Sequence, residues 1–258
     1  MYPNPIFLNV NLYGIMIAIG LLCAFSVLYF YSKMKGIDTS ITDFIFYDGV
    51  VAIIAGFGFA ALFQALYNYI ENPSAGFKFD GITFLGGFLG GAGIFLAIYF
   101  IFRKKIKGRL IDSLSVIPCC ILIGHAFGRI GCFFAGCCYG KETSSALGVH
   151  FKDIPGKVIP TNLYEAIFLF ILFAVCSFLY VKYNFKYNLP VYCIAYGTFR
   201  FIIEFFRGDD RGKLFKILSP SQFWSIIMVI AGIALIFALK PLFKKREDEL
   251  SEKSKQTN

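Results

Sequence analysis

The chain has 258 residues, of which 57% are hydrophobic and only 16% are charged. Soluble domains carry roughly 25% charged residues. Disordered, collagen-like and coiled-coil chains need a more polar or more repetitive sequence, so the composition excludes all of these classes. The formal net charge is +9, but the basic residues lie in short clusters between apolar runs, which argues for no nucleic acid partner. The composition indicates a protein that crosses a membrane several times.

Seven apolar segments are long enough to cross a bilayer when their flanking residues are included, because a spanning helix needs about 20 mostly apolar residues. Met1–Leu12 has neither the basic residues nor the cleavage site of a signal peptide. We therefore expect an all-α integral membrane protein with about seven transmembrane helices. The predicted helices cover residues 12–31, 45–69, 82–102, 111–134, 163–182, 190–207 and 221–240.

Lysine and arginine residues determine the expected orientation. The densest basic cluster of a short loop, Arg103–Arg109, and the basic start of the C-terminal segment fall on one side of the membrane. The positive-inside rule assigns that side to the cytoplasm. We expect the N-terminus outside and the C-terminus in the cytoplasm. A polytopic membrane domain would cover residues 1–243, and residues 244–258 would form a polar cytoplasmic tail that is disordered.

Four charged residues, Arg129, Glu165, Arg200 and Glu204, lie inside or at the edge of apolar segments. Each costs about 2.5–3.5 kcal/mol at a bilayer centre, so they must face one another or a wet cavity. Structural ion pairing between helices is one interpretation, and an ionic cavity for a charged substrate is the other. The i+4 and i+3 spacings from Arg200 through Glu204 to Arg207 place all three on one helical stripe. Two cations around one carboxylate favour an anion as the substrate.

An arginine also lies among the glycines of Gly128–Gly140. Glycines let a backbone approach either a ligand or a neighbouring helix, so close helix packing is the alternative interpretation here. Arginine pairs bidentately with phosphate, and phosphate is the anion that a lipid offers. We interpret Gly128, Arg129 and Gly131 as a binding site for the phosphate of a membrane lipid.

Three of the eight cysteines, Cys132, Cys137 and Cys138, form a C-x4-C-C pattern at the predicted outer face. A structural zinc site usually shows C-x2-4-C pairs with further ligands. A disulfide such as Cys132–Cys137 is possible in an oxidising compartment, and a thiol that carries an acyl or glyceryl group is a third alternative. The spacing does not choose among them, and we assign neither a metal nor a cofactor.

Four segments together resemble the prolipoprotein diacylglyceryl transferase family. Gly128–Gly140 looks like the family signature Gly-Arg-x-Gly-Asn-Phe-x-Asn-Gly-Glu-x-x-Gly. Pro160–Ala166 is similar to the family's Pro-Ser-Gln-Leu-Tyr-Glu-Ala stretch, and Tyr196–Arg207 to its Tyr-Gly-x-(Phe/Leu)-Arg-x-x-x-Glu block. Leu218–Ser225 resembles the start of the last helix. Any one motif is weak, but four in the right order are specific.

The resemblance implies a multi-pass enzyme of the bacterial inner membrane that moves the diacylglyceryl group of phosphatidylglycerol to the lipobox cysteine of a preprolipoprotein signal peptide. By this resemblance, Arg129 holds the lipid phosphate and Arg200 stabilises the departing phosphate. Glu204 would orient that phosphate or take part in proton transfer. Glu165 would shape the cavity, and Arg207 would join the substrate-binding residues.

The chain departs from the family pattern at four positions. Leu85 stands where the family has a histidine before two glycines, and Cys132, Ala135 and Cys137 stand where the signature has Asn, Asn and Glu. These changes leave two further hypotheses. One is a non-catalytic lipid-binding paralogue, and the other is a membrane thiol oxidoreductase that uses Cys132, Cys137 and Cys138.

The expected orientation can be tested with a membrane-impermeant thiol reagent on single-cysteine versions of the chain. The Ser144→Cys version should be labelled from outside intact cells, because Ser144 follows the fourth predicted helix. The Lys105→Cys version should be labelled only after permeabilisation. The reverse pattern would invert the topology.

Overall fold

The computed structural model describes residues 11–81, 83–152, 154–208 and 218–257. These residues form eight α-helices, two short 3-10 turns and one small antiparallel hairpin. The helices are α1 (Leu12–Met34), α2 (Thr39–Glu71), α3 (Phe84–Phe102), α4 (Leu110–Ser113), α5 (Ile117–Ala135), α6 (Thr161–Tyr183), α7 (Asn188–Ile203) and α8 (Pro220–Thr257). The 3-10 turns are Pro73–Ala75 and Glu204–Phe206, and the hairpin strands are β1 (Val149–His150) and β2 (Lys157–Val158).

Six of the described helices, α1, α2, α5, α6, α7 and α8, are long and apolar enough to cross a membrane. The shorter apolar helix Gly86–Phe102 lies within α3. Each of these seven helices overlaps one of the seven predicted segments. The predicted fold class is confirmed: the chain is an all-α, multi-pass membrane protein.

Two predicted helices differ from the observed ones. The segment predicted at 111–134 is divided into α4 and α5, and Pro118 lies in the first turn of α5, where its missing N–H is not needed. The segment predicted at 190–207 leaves the α-helical conformation after Ile203. Arg207 has extended backbone angles and forms an antiparallel bridge with Gly140. This long-range pairing ends the helix earlier than the local pattern suggests.

The prediction of a disordered C-terminal tail at residues 244–258 is wrong for the residues that the structure describes, because α8 continues through Pro241 to Thr257. Strong helix formers such as Lys, Glu and Arg dominate this segment. Arg246 and Glu249 pair at i, i+3 with 3.4 Å between Nη1 and Oε2. Glu247 also forms an ion pair with Lys186. Helix propensity and these pairs together favour helix over disorder.

One compact unit covers Ser32–Ser113. Within it, α2 packs against α3 through small residues: a Cβ added to Gly87 would lie 3.2 Å from the Gly56 carbonyl oxygen, and one added to Gly90 would lie 2.4 Å from the Phe59 Cβ. Such close backbone approach is typical of small-residue interfaces between membrane helices. Asp48 is a buried carboxylate in α2 whose two oxygens have no hydrogen-bond partner among the described residues. Asp48 lies within the predicted helix 45–69, but sequence reasoning did not single it out among the charged residues of the apolar segments.

The second compact unit combines the chain up to Tyr31 with the chain from Leu114 onward. Its core contains seven buried residues from α5, α6 and α7: Cys119, Leu122, Ala126, Leu169, Leu172, Cys176 and Tyr196. Asn188 is fully buried and donates to the backbone oxygens of Ser115 and Cys176 at 3.0 and 3.2 Å. A Cβ added to Gly197 would lie 3.0 Å from the Ser225 carbonyl oxygen, so α7 and α8 also approach closely. The predicted site residues all belong to this unit.

The glycine contacts predict different effects for two alanine substitutions in α3. Gly90→Ala should lower the free energy of unfolding by about 1–3 kcal/mol, because the new methyl group overlaps Phe59 and overpacked cores lose about that much. Gly93→Ala is the matched control, since nothing lies within 4 Å of its added Cβ. Thermal unfolding of both variants in detergent measures the difference. Equal stability of the two would contradict the described packing.

Candidate functional site

The carboxylate of Glu165 is the centre of a polar cluster between α5, α6 and α7. Glu165 is 1% exposed. Its Oε1 lies 3.0 Å from Nη2 of Arg129 on α5 and accepts a hydrogen bond of 2.7 Å from Oη of Tyr196 on α7. Nε2 of His125, also on α5, is 3.9 Å from the same oxygen. One carboxylate oxygen thus joins three helices.

The geometry of α5 positions two side chains of this cluster, those of His125 and Arg129. His125 and Arg129 are four residues apart, so they lie on the same face of the helix. Nε of Arg129 donates to Nε2 of His125 at 3.3 Å. The imidazole also packs edge-on against the Tyr196 ring, with 5.0 Å between ring centroids. These contacts fix the direction of the Arg129 guanidinium, whose side chain remains 18% exposed.

A second ionic cluster lies at the end of α7 and the start of α8. Nη2 of Arg200 is 2.9 Å from Oε2 of Glu204 and donates to Oγ of Ser221 at 2.8 Å. Oγ of Ser219 donates to the other Glu204 oxygen at 2.9 Å. Nε of Arg207 is 3.9 Å from Glu204 Oε2. Oε1 of Glu204 therefore accepts a hydrogen bond, whereas its Oε2 has ion-pair contacts with the two arginines but no hydrogen-bond partner among the described residues.

One hydrogen-bond donor of Arg200, its Nη1, is not used by the contacts of this second cluster. The residue is 9% exposed, and its Nη1 is buried without a hydrogen-bond partner among the described residues. A buried unsatisfied donor costs about 1–3 kcal/mol, and more when it is charged. An anion that accepts a hydrogen bond from Nη1 would recover this energy.

The two clusters are electrostatically continuous and carry excess positive charge. The field of Arg200 acts on Glu165 together with that of Arg129. Three arginines, with Arg207 included, face two carboxylates, with Glu204 included. Among the described residues of the two clusters, the sum leaves one positive charge for an anionic ligand.

The loop between α5 and α6 contacts the end of α7 through backbone hydrogen bonds. The Gly140 N–H donates to the Ile159 carbonyl at 2.7 Å, and the Lys141 N–H donates to the Phe206 carbonyl at 2.9 Å. A Cβ on Gly140 would lie 2.5 Å from the Phe206 oxygen, so this position requires glycine. The backbone after α5 is thereby fixed to the segment before α6 and to the end of α7, beside Arg207.

Three thiols lie together at the C-terminal end of α5, one of them in the last turns of the helix and two in the segment that follows it. The Sγ atoms of Cys132, Cys137 and Cys138 are all within 4.8 Å of one another, and these cysteines are free. Hydrogen bonds with the other two thiols lower the pKa of Cys138 below its ordinary value. The charges of Arg129 and Arg207 act in the same direction, and burial opposes them. The arginines of the ionic clusters thus also act on this thiol cluster.

The structure brings the five predicted charged site residues into these two clusters: Arg129, Glu165, Arg200, Glu204 and Arg207. The two predicted glycines differ from each other. A Cβ on Gly131 would lie 3.0 Å from the Tyr13 ring of α1, whereas nothing lies within 4 Å of one on Gly128. Gly131 therefore has a packing contact, and Gly128 borders open space.

Sequence reasoning missed Tyr196 and Ser221 as functional residues. Tyr196 begins the segment Tyr196–Arg207, and its position four residues before Arg200 on the same helical face was the available signal. Ser221 gives no signal in the sequence, because its contact with Arg200 joins two different helices.

An all-helical membrane protein with a buried, net-positive cluster of arginines and carboxylates is the class that the fold and the site define. The model of the family "Prolipoprotein diacylglyceryl transferase" matches residues 5–238. The chain belongs to this family.

Several relatives carry the name phosphatidylglycerol–prolipoprotein diacylglyceryl transferase. The chain is 36% identical to the one from Clostridium tetani (strain Massachusetts / E88), with 86% of this chain and 90% of the relative covered. It is 32% identical to the one from Dehalococcoides mccartyi (strain ATCC BAA-2266 / KCTC 15142 / 195), with 97% and 94% covered. A relative from Clostridium perfringens (strain 13 / Type A), named with the suffix 2, is 31% identical, with 93% and 94% covered. The similarity thus extends over almost the whole chain.

Removing the charge of Glu165 should destabilise the fold. Glu165→Gln leaves the buried Arg129 without its counterion, and breaking a buried pair in this way costs about 3–5 kcal/mol. The double variant Arg129→Met with Glu165→Met should recover most of that loss, because it leaves no unpaired charge. Glu142→Gln, at an exposed carboxylate, is the control and should change nothing. Thermal unfolding in detergent measures all three, and a neutral Glu165→Gln would refute the pairing.

Proposed function

We propose that the chain is an enzyme of the bacterial inner membrane that transfers the diacylglyceryl group of phosphatidylglycerol to the lipobox cysteine thiol of preprolipoproteins. The observation that carries this proposal is the buried Arg200, whose Nη1 has no hydrogen-bond partner among the described residues although its Nη2 is paired with Glu204. Phosphate oxygens suit such a donor, because arginine binds them with charge-assisted hydrogen bonds. The names of the relatives support the same substrates.

The reaction is an alkylation of sulfur. The acceptor sulfur forms a bond to the glyceryl carbon of the lipid, and the bond between that carbon and the phosphate oxygen breaks. Glycerol phosphate leaves with the electron pair. Negative charge therefore develops on a phosphate oxygen, and a preorganised cation at that position accelerates the step.

The ionic clusters divide the work in this proposal. Arg200 faces the departing phosphate, and Glu204, with Ser219 and Arg207 around it, holds the Arg200 guanidinium in place. Arg129 binds the phosphate of the incoming lipid through the part of its side chain that is exposed. Glu165 acts as a positioning residue for Arg129, because its Oε1 accepts a hydrogen bond from Tyr196 and forms an ion pair with Arg129.

We propose that this reaction takes place at the outer face of the membrane. The N-terminus outside and the C-terminus inside put both ionic clusters and the hairpin of β1 and β2 on the outer side. Translocated signal peptides present their cysteine there. In this orientation residues 1–243 form the membrane domain, and residues 244–258 extend into the cytoplasm as a polar segment that is helical as far as Thr257.

The alternative function is lipid binding without catalysis. The observation that favours it is the replacement of family signature residues by Leu85, Cys132, Ala135 and Cys137. A binding protein would retain phosphatidylglycerol but would transfer nothing to a lipobox peptide. The assay below therefore separates the two functions.

Arg200→Ala should lower transfer from labelled phosphatidylglycerol to a lipobox peptide by roughly 10²–10³-fold, the usual effect of removing one donor to developing charge. Arg200→Lys should recover little of this, because a point charge does not replace the planar fork. Arg103→Ala, at an exposed arginine, is the control. Full activity of Arg200→Ala would remove Arg200 from the mechanism, and an inactive wild type that still binds the lipid would favour the alternative.

A further inference from the structure

The C-terminal cap of α5 brings two of the three clustered thiols together. Gly136 adopts the left-handed conformation (φ 72°, ψ 26°), and its N–H donates back to the Phe133 carbonyl. The Cys137 N–H donates to the Cys132 carbonyl at 3.1 Å. This is the Schellman arrangement, in which the residue after the left-handed one contacts a residue five positions earlier, usually through apolar side chains. Here that contact is made by Cys132 and Cys137.

Side chains from the first turn of α6 hold the other end of this segment. Nδ2 of Asn162 donates to the Cys137 carbonyl at 2.8 Å, and Oγ1 of Thr161 donates to the Cys138 carbonyl at 2.9 Å. Both donors belong to residues that are 1% exposed. Cys138 has φ 61°, a conformation that costs a non-glycine residue about 1–2 kcal/mol. The two anchored carbonyls keep Cys138 in this conformation, with its thiol beside the other two.

We propose that Cys132, Cys137 and Cys138 bind a thiophilic metal ion such as Zn²⁺, and that the remaining coordination position of the ion binds the thiolate of the acceptor cysteine. The proposal deepens the proposed function and rests on it for the second half. The spacing of the three cysteines alone gives no reason to assign a metal, and the positions of their thiols in the structure supply that reason.

The distances suit a trithiolate site. Zinc–sulfur bonds are about 2.3 Å long with tetrahedral geometry, so thiolates on one ion are about 3.8 Å apart. The three Sγ atoms already lie within 4.8 Å of one another, and small rotations of the side chains close the difference. Three thiolates and Zn²⁺ carry one net negative charge. Arg129 and Arg207, which act electrostatically on Cys138, offset it.

Three protein ligands leave the fourth tetrahedral position open, which is typical of catalytic zinc sites. The exposed Cys137 shows that the cluster is accessible to a ligand from outside. A free thiol with a pKa of about 8.5 is only a few per cent ionised at neutral pH, whereas a thiol that coordinates the metal is deprotonated outright. The metal would therefore raise the thiolate fraction of the acceptor about 30-fold at pH 7.

The step balances without any change of oxidation state. The acceptor S–H releases its proton to water when the sulfur binds the metal. The sulfur then supplies the electron pair for the new bond to the glyceryl carbon, and the carbon–oxygen bond breaks towards the phosphate. The products are a thioether and glycerol phosphate, and the open position of the metal is free again.

Metal binding can be measured without activity. The full chain, purified in detergent and kept reduced, should retain about one equivalent of Zn²⁺, and Co²⁺ in its place should show thiolate-to-cobalt charge-transfer absorption. Cys137→Ser, at an exposed position, should lower the affinity at least tenfold without unfolding the protein. Cys23→Ser on α1 is the matched control and should bind as the wild type does. Absence of metal binding by the reduced wild type, or unchanged affinity in Cys137→Ser, would overturn the proposal.

The open coordination position is tested with a lipobox peptide and its Cys→Ser analogue. The cysteine peptide should change the ligand-field bands of the Co²⁺ protein, and the serine peptide should not. Removal of Zn²⁺ by a chelator should lower transfer at pH 7 at least tenfold, and Zn²⁺ should restore it. If neither peptide changes the ligand-field bands, the proposal that the metal binds the acceptor thiolate is overturned. Bands that respond while no lipid is transferred would support the metal site and refute the proposed function.

Discussion

A charge in the membrane interior requires a partner, and the carboxylate of Glu165 is the place where this requirement organises the helices. One oxygen receives Arg129 from α5 and Tyr196 from α7. Glu165 itself belongs to α6, so this one oxygen atom links α5, α6 and α7. The same contacts direct the Arg129 guanidinium before any ligand arrives. Preorganised charge of this kind costs no reorganisation during a reaction.

The sequence was sufficient to predict the membrane helices and the charged residues of the site, because both follow from transfer free energies that depend on composition alone. A run of apolar residues predicts a span, and a charge inside that run predicts a site. The pairing of Arg200 with Glu204 was also accessible, since it follows from helical spacing. The partner of Glu165 was not, because Arg129 lies on another helix and only tertiary packing brings the two together.

The differences between the expected and the observed helices have the same origin. The end of α7 at Ile203 depends on a bridge between Arg207 and Gly140, residues far apart in the chain. The thiol cluster also depends on the left-handed conformation of Gly136. The C-x4-C-C spacing alone does not predict that conformation. Gly128 and Gly131 illustrate the limit for single residues. The two glycines belong to one motif, but Gly128 borders open space and Gly131 packs against α1.

In the proposed orientation, the length of α8 gives the protein a helical extension on its cytoplasmic side. A helix of 38 residues is about 57 Å long, and the hydrocarbon core is about 30 Å thick, so almost half of it stands clear of the lipid tails. Lys240, Lys244, Lys245 and Arg246 lie where it emerges. Each basic residue near an anionic leaflet contributes about 1 kcal/mol of attraction. An ion pair between Glu247 and Lys186 links this part of α8 to the segment between α6 and α7.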